Sequence, residues 1–274
     1  MSPQIADTVR RIGRADAAGL YRMAAFLATL EPELEPRLER PGGGWLVALG
    51  PGHLVNKVCG LGLNGPVDDA ALDAVERTLR EAGVDPRIEH WPGADPGLQV
   101  MLEVRGYRIE LENDVLVADP AAAPAHSEAG VGIERVTRGL ADLYERTVAC
   151  GFTEMDAGEP GFAERVFARG AAHSTEASAW LARIGGEPAG GGALGVTGGV
   201  AALFGASTLP RMRRRGVQRA LLERRLREAH AAGAGVAFMK TAPGSGSARN
   251  ALRAGFQVAG RSVTWVLERE RSER

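Results

Sequence analysis

Cysteine is scarce: Cys59 and Cys150 are the only two in 274 residues. They are too few for a disulfide framework, and neither sits in a C-x-x-C or Cys/His spacing that holds zinc, so two ordinary thiols in a reducing compartment are expected. Lysine is as scarce, since Lys57 and Lys240 are the only lysines among 33 basic residues. That arginine bias, beside so much alanine and glycine, speaks of base composition rather than chemistry. Aromatic residues make up 5% of the chain, and Trp45, Trp91, Trp180 and Trp265 lie in or beside strand-like segments; they read as core rather than as ligand platforms. No run of 18 uncharged apolar residues occurs, which excludes a membrane-spanning helix. Met1 to Arg14 carries Asp7, Arg10, Arg11 and Arg14 with no apolar run, so it is no secretory signal and a cytoplasmic protein is expected. An excess of one charge is missing as well: 33 basic and 34 acidic residues leave a net charge of −1. Such a chain has no global field to steer nucleic acid or an anionic membrane. His53, His90, His126, His173 and His230 share no ligand spacing, and no metal is expected.

What is plentiful is glycine, 37 residues, in a chain that is 45% hydrophobic. The length suits two modest domains of about 100 to 200 residues each. Ala118 to Gly130, rich in alanine and proline, neither packs nor sustains a helix. The expected division is therefore a domain over 1–120, a linker over 121–130 and a domain over 131–274. The two sides look related. In each, a helical segment ends at a glycine (Gly83, Gly233), a short strand follows, then a second short helix ends at Gly106-Tyr107 or Gly255-Phe256 before a last strand. The offset is 150 residues for the first glycine pair and 149 for the second, which argues for one fold used twice. The fold expected is α/β (α+β): tandem domains, each a mixed, mostly antiparallel sheet flanked by helices. Gly190 to Gly195 satisfies G-x-G-x-x-G, but a hairpin and not a helix follows it, so it reads as a glycine-rich strand that lets neighbours approach.

The one dense basic cluster is Arg211-Met-Arg-Arg-Arg-Gly-Val-Gln-Arg219, between an expected strand (Val200 to Ser207) and an expected helix. Arginines at a helix start are unfavourable unless an anion offsets the dipole, and amides opening a helix at Gly216 form a natural pyrophosphate site.

With hairpins before this loop and Gly255-Phe256 some 40 residues after it, the segment from about 130 to 270 resembles the GNAT family of N-acetyltransferases. The family's coenzyme A loop, [Gln/Arg]-x-x-Gly-x-[Gly/Ala], is matched by Arg213-Arg214-Arg215-Gly216-Val217, with Gln218 in place of the last small residue. The resemblance implies acetyl-CoA as cosubstrate, held by Arg213, Arg214, Arg215, Gly216, Val217 and Gln218. It also implies that Ala206, Ser207 and Thr208 pair with the pantetheine and acetyl group, with Ser247 and Asn250 beside the coenzyme. It implies transfer to a primary amine of a small molecule or peptide by direct attack. Candidate bases are Glu154 and Asp156 in the loop Gly151 to Asp156, which in the family lines the acceptor site; Cys150 is a weaker candidate as nucleophile. The sequence departs from the family pattern in three places. Ala251 stands where many members have a tyrosine acid, Gly244 where an asparagine is usual, and Val200 to Ser207 holds no glutamate. These departures favour, as the rival class, a non-catalytic acyl-CoA-binding sensor; a structural protein with a decayed loop is a second rival. The first half has Gly62 to Asp69 at the corresponding place, with no arginine and with Asp68 and Asp69 at the helix start. There they act as caps and repel a pyrophosphate, so the first domain is expected to be a degenerate copy that binds no coenzyme. The protein is expected to be a monomer or homodimer.

Overall fold

The computed structural model describes residues 3–31, 33–53, 55–123 and 130–268. Most of the expected linker, Pro124 to Ala129, lies outside them, as does His126. The chain divides into two compact units, one formed by residues 1–114 with 259–274 and the other by 115–258. No helix among the described residues is long and apolar enough to cross a membrane.

The first unit begins with α1 (Pro3–Leu30), followed by β1 (Arg37–Glu39), β2 (Trp45–Ala48), β3 (Lys57–Cys59), α2 (Asp69–Glu81), β4 (Arg87–His90), α3 (Pro96–Val104) and β5 (Arg108–Ala118). The second unit follows with β6 (Gly132–Arg135), α4 (Ala141–Phe152), α5 (Phe162–His173), β7 (Ala177–Ile184), β8 (Glu187–Thr197) and β9 (Val200–Thr208). After these come α6 (Val217–Ala231), β10 (Val236–Thr241), α7 (Gly246–Arg253) and β11 (Gln257–Val266). Strand directions are mixed within each unit, as expected. In the first, β1, β2 and β3 are antiparallel and β3 is parallel to β4; in the second, β6 to β9 run antiparallel and β9 is parallel to β10.

The recurring glycines each follow directly on the C-cap of a helix, Ala82, Arg105, Ala232 and Ala254. Gly83, Gly106, Gly233 and Gly255 all have φ between 75° and 91°, the left-handed conformation that only glycine adopts freely. In each case the next residue's amide reaches back to close the helix: Val84 to Leu79, Tyr107 to Leu102, Ala234 to Ala229 and Phe256 to Ala251, at 2.9 to 3.1 Å. Each of those four residues is buried. The recurring glycine-apolar pair thus stops a helix and pins the turn to the core.

Contacts divide the chain differently from the linear division at 121–130. β11 belongs from Ala259 onward to the first unit, where Val263 to Val266 pair antiparallel with Arg87 to His90 of β4. Trp265 there joins a core of Leu46, Val58, Leu72, Val75, Leu79, Ile88 and Leu98. The end of β5, from Val115, belongs to the second unit and lies beside β10. Leu116 enters that unit's core with Trp180, Leu203, Leu222, Leu226 and Phe256. Most of β11 and the last four residues of β5 are therefore counted in the unit other than the one their place in the sequence suggests. Apolar alternation tells a strand which face to bury but not which sheet to join.

Candidate functional site

The site is built where β9 parts from one neighbour and bulges against the other. Toward β10, β9 is paired only over Val200 to Ala202, opposite Val236 to Phe238. From Leu203 to Thr208 that ladder stops, and the strand presents an edge of backbone groups to which an extended ligand can add. Toward β8, the register runs Gly195–Ala202, Leu194–Leu203 and Ala193–Phe204, then jumps to Gly191–Ser207. Gly192 thus faces two residues, Gly205 and Ala206, which is a β-bulge; Gly205 has φ 57°.

The glycines of β8 let helices close on both faces of this strand. A Cβ at Gly191 would come 2.7 Å from the Tyr144 ring and 2.8 Å from Val148 of α4. A Cβ at Gly192 would lie 3.0 Å from the guanidinium carbon of Arg225 on α6. This close approach, and not a dinucleotide fingerprint, explains the run.

After Thr208 the chain makes a short turn at Pro210–Met212 and passes through Arg213, Arg214 and Arg215 to Gly216. Gly216, with φ 79°, is the N-cap residue of α6. That helix starts with no side-chain cap and no acidic residue in its first turn, so no side chain answers its leading amides, and the positive end of the dipole lies behind them. Arg213, Arg214 and Arg215 are all exposed around them. Gln218 is turned inward to donate from Nε2 to Thr208 Oγ1 at 2.8 Å, and Ser207 Oγ donates to the Val148 carbonyl at 2.8 Å. Both hydroxyls of the strand end are buried and committed to the fold, so what Ala206, Ser207 and Thr208 offer a ligand is backbone. On α7, Ser247 is exposed and Asn250 Oδ1 accepts from Arg253 at 3.2 Å; Ala248 and Ala251 face the core. Ala251, at the tyrosine position, is wholly buried and carries no proton to give.

The two carboxylates of the α4–α5 loop are brought to the arginine loop. Glu154 takes both terminal nitrogens of Arg213 in a bidentate pair, at 2.6 and 2.7 Å. Asp156 accepts from the Arg211 amide at 2.6 Å, and its own carbonyl accepts from the Arg211 guanidinium. Arg213 holds the Glu154 carboxyl below its ordinary pKa, chiefly by that hydrogen bonding. In this arrangement both carboxylates are occupied as tethers of the loop, with Glu154 in a positive-φ conformation (58°). Because Glu154 and an incoming anion would compete for Arg213, Glu154→Gln is expected to raise affinity for coenzyme A by about two- to fivefold, the scale of an exposed ion pair. Isothermal calorimetry reads this directly, and an unchanged or weakened affinity would mean that the two do not compete. Cys150 is buried, and burial pushes its thiol pKa up, away from the thiolate a nucleophile needs.

A further residue joins the site although no motif in the sequence marks it. Arg225 lies fully buried in α6; its Nε donates to the Leu221 carbonyl at 3.1 Å, and one terminal nitrogen donates to the carbonyls of Ala193 (3.3 Å) and Phe204 (3.4 Å). The signal was present, since position 225 follows Leu221 by four residues and Leu222 by three, on the apolar stripe.

The counterpart in the first unit is closed. Asp68 caps α2, accepting from the Ala71 amide at 2.9 Å, and Asp69 sits in the first turn. The chain leaving β3 is clasped by Asp95: its amide donates to the Gly62 carbonyl at 2.9 Å, and its carboxylate accepts from the amides of Val67 and Gly97, both at 3.1 Å. A Cβ at Gly62 would meet the Asp95 amide nitrogen at 3.0 Å. Carboxylates occupy the positions that an anion would take.

A bulged strand splayed from its parallel neighbour thus leads to an uncapped helix ringed with arginine, in a mixed α/β fold. Residues 140–256 match the model of the acetyltransferase (GNAT) family. Among solved structures, the chain is similar to a GCN5-related N-acetyltransferase from Kribbella flavida, at 20% identity and a TM-score of 0.70, with 94% of this chain and 95% of that one covered. It is also similar to a GCN5-related N-acetyltransferase from Sphaerobacter thermophilus (18%, TM-score 0.57, 73% and 67% covered). A tandem GNAT protein from the clavulanic acid biosynthesis pathway shares the fold as well (19%, TM-score 0.52, 74% and 70% covered). No curated protein matches the sequence.

Proposed function

We propose that the second unit binds acetyl-CoA and transfers its acetyl group to a primary amine of a small molecule or peptide, while the first unit is a degenerate copy that binds no coenzyme. The observation that carries this reading is the uncapped N-terminus of α6 beside the unpaired edge of β9, Leu203 to Thr208. One end suits a pyrophosphate and the other a strand-like pantetheine arm. The neutral amine attacks the thioester carbonyl; the C–N bond forms, the C–S bond breaks, and the oxyanion between these steps accepts hydrogen bonds from backbone amides of the bulged strand. The departing thiolate, with a pKa of about 8.5, takes up a proton from solvent near neutral pH, so Ala251 does not bar the reaction. Glu154 and Asp156 serve as proton acceptors once phosphate has replaced them on Arg213 and Arg211.

The buried alanine at 251 and the absence of glutamate in β9 favour a second reading, a non-catalytic acyl-CoA sensor. Incubating the protein with acetyl-CoA and a panel of amines, and measuring free thiol, separates the two. Thiol release above the hydrolysis background is expected; tight binding without release across the panel would leave the sensor. The same panel tests acceptor class.

A further inference from the structure

We propose that Arg225 is a positioning residue for acyl transfer: its buried guanidinium holds the carbonyl side of the β9 bulge and thereby strengthens the Gly205 N–H as donor to the thioester carbonyl. The proposal rests on the acetyl-CoA reading above.

Arg225 is 1% exposed, and among the described residues no carboxylate pairs with it. Its partners are three backbone carbonyls, one on its own helix and one on each of the two strands that flank the register break. Ala193 and Phe204 form the last matched pair before the jump to Gly191 and Ser207. The guanidinium therefore sits at the place where the bulge disturbs the ladder, and it bonds carbonyls on both strands there. Space for it is made by Gly192, whose missing side chain leaves the guanidinium carbon 3.0 Å from the Cβ position. Burial pushes the arginine's pKa down to about 10, and the electrostatic interaction with Tyr144 works the other way. It still carries its proton at neutral pH.

The Phe204 carbonyl and the Gly205 N–H belong to one peptide unit. That unit is trans, as no cis bonds occur among the described residues, so the N–H points away from the oxygen that Arg225 holds. A cation on the oxygen draws density through the conjugated amide and makes the opposite N–H a stronger donor, an effect enlarged by the low dielectric around a buried group. Gly205 lies beyond Ala202, in the stretch that β10 leaves unpaired, where an extended thioester would run. Strengthening one fixed donor matters most when charge develops on the carbonyl oxygen.

The test uses two neutralising or reshaping variants, Arg225→Met and Arg225→Lys, and two readouts. In ligand-free protein labelled with ¹⁵N-glycine, the Gly205 amide proton is expected to move upfield in Arg225→Met and less so in Arg225→Lys. With [1-¹³C]acetyl-CoA bound, the thioester carbonyl band should be lowered in the wild type. Most of that lowering should be lost in Arg225→Met, while affinity for CoA itself, which has no such carbonyl, stays the same. If Arg225→Met does not fold, Arg225→Lys and Gly192→Ala, which displaces the guanidinium without removing its charge, replace it. An unmoved Gly205 amide and an unmoved band in the folded variants would overturn the proposal. A wild type that binds no acetyl-CoA would overturn the reading of the preceding section instead, and the amide shift would still decide the role of Arg225.

Discussion

Arg213→Glu combined with Arg215→Glu is expected to weaken coenzyme A binding by at least about 100-fold. Each arginine offers a charge-assisted hydrogen bond to phosphate, a contact of about 1.5 to 3 kcal/mol, and about 1.4 kcal/mol is a factor of ten in affinity. Two reversals replace attraction with repulsion at the same helix end, where the dipole can no longer compensate. Both side chains are exposed, so the fold should stand: the melting temperature without ligand should change little, as for most surface substitutions. Calorimetric titration of CoA into the double variant measures the effect, with Arg138→Glu, another exposed arginine of the same unit, as the charge control. Affinity within twofold of wild type would remove the arginine loop from the coenzyme site.

The largest expected effect on stability is at Gly190. A Cβ there would overlap the Ser207 carbonyl oxygen and come within 3.1 Å of both Thr208 Cα and a methyl of Val217. Two of the three obstacles are backbone of a central strand and cannot rotate away. Gly190→Val should therefore cost more than about 3 kcal/mol, the upper range for overpacking. At about 2 to 4 °C per kcal/mol for a protein of this size class, the thermal midpoint should fall by roughly 6 to 12 °C or more. Gly195→Ala on the same strand meets nothing closer than 3.6 Å and should be nearly neutral. Equal midpoints for the two variants, read by circular dichroism, would show that β8 does not need its glycine at 190.

Much of this architecture was legible in the residues because it rests on local rules. The helix stops at Gly83, Gly106, Gly233 and Gly255 are set by backbone conformation. The acidic cap at Asp68 and the uncapped start at Gly216 are contrasts between two short segments. What stayed hidden depends on tertiary pairing. The bulge at Gly205 is a mismatch between two strands, invisible in either alone. The exchange of β5 and β11 leaves each strand's pattern unchanged. Glu154 and Asp156 lie nearly 60 residues before the arginines that hold them. An arginine beside Arg224 and Arg227 reads as one more solvent-facing charge, yet α6 buries Leu221, Leu222, Arg225 and Leu226 together.

The exchanged strand bears on how the molecule is made. A domain confined to its own stretch of sequence can complete its core as soon as that stretch leaves the ribosome, and N-terminal domains generally do so first. Here the first unit needs Val263 to Val266 beside β4, so it stays without that strand, its Ile88 edge unsealed, until all of the second unit, 115–258, has been synthesised. Closing it joins segments more than 170 residues apart in sequence, a long-range event of the slow kind. The second unit, continuous over 115–258, can therefore complete its core before the first, although the first is the earlier to be made.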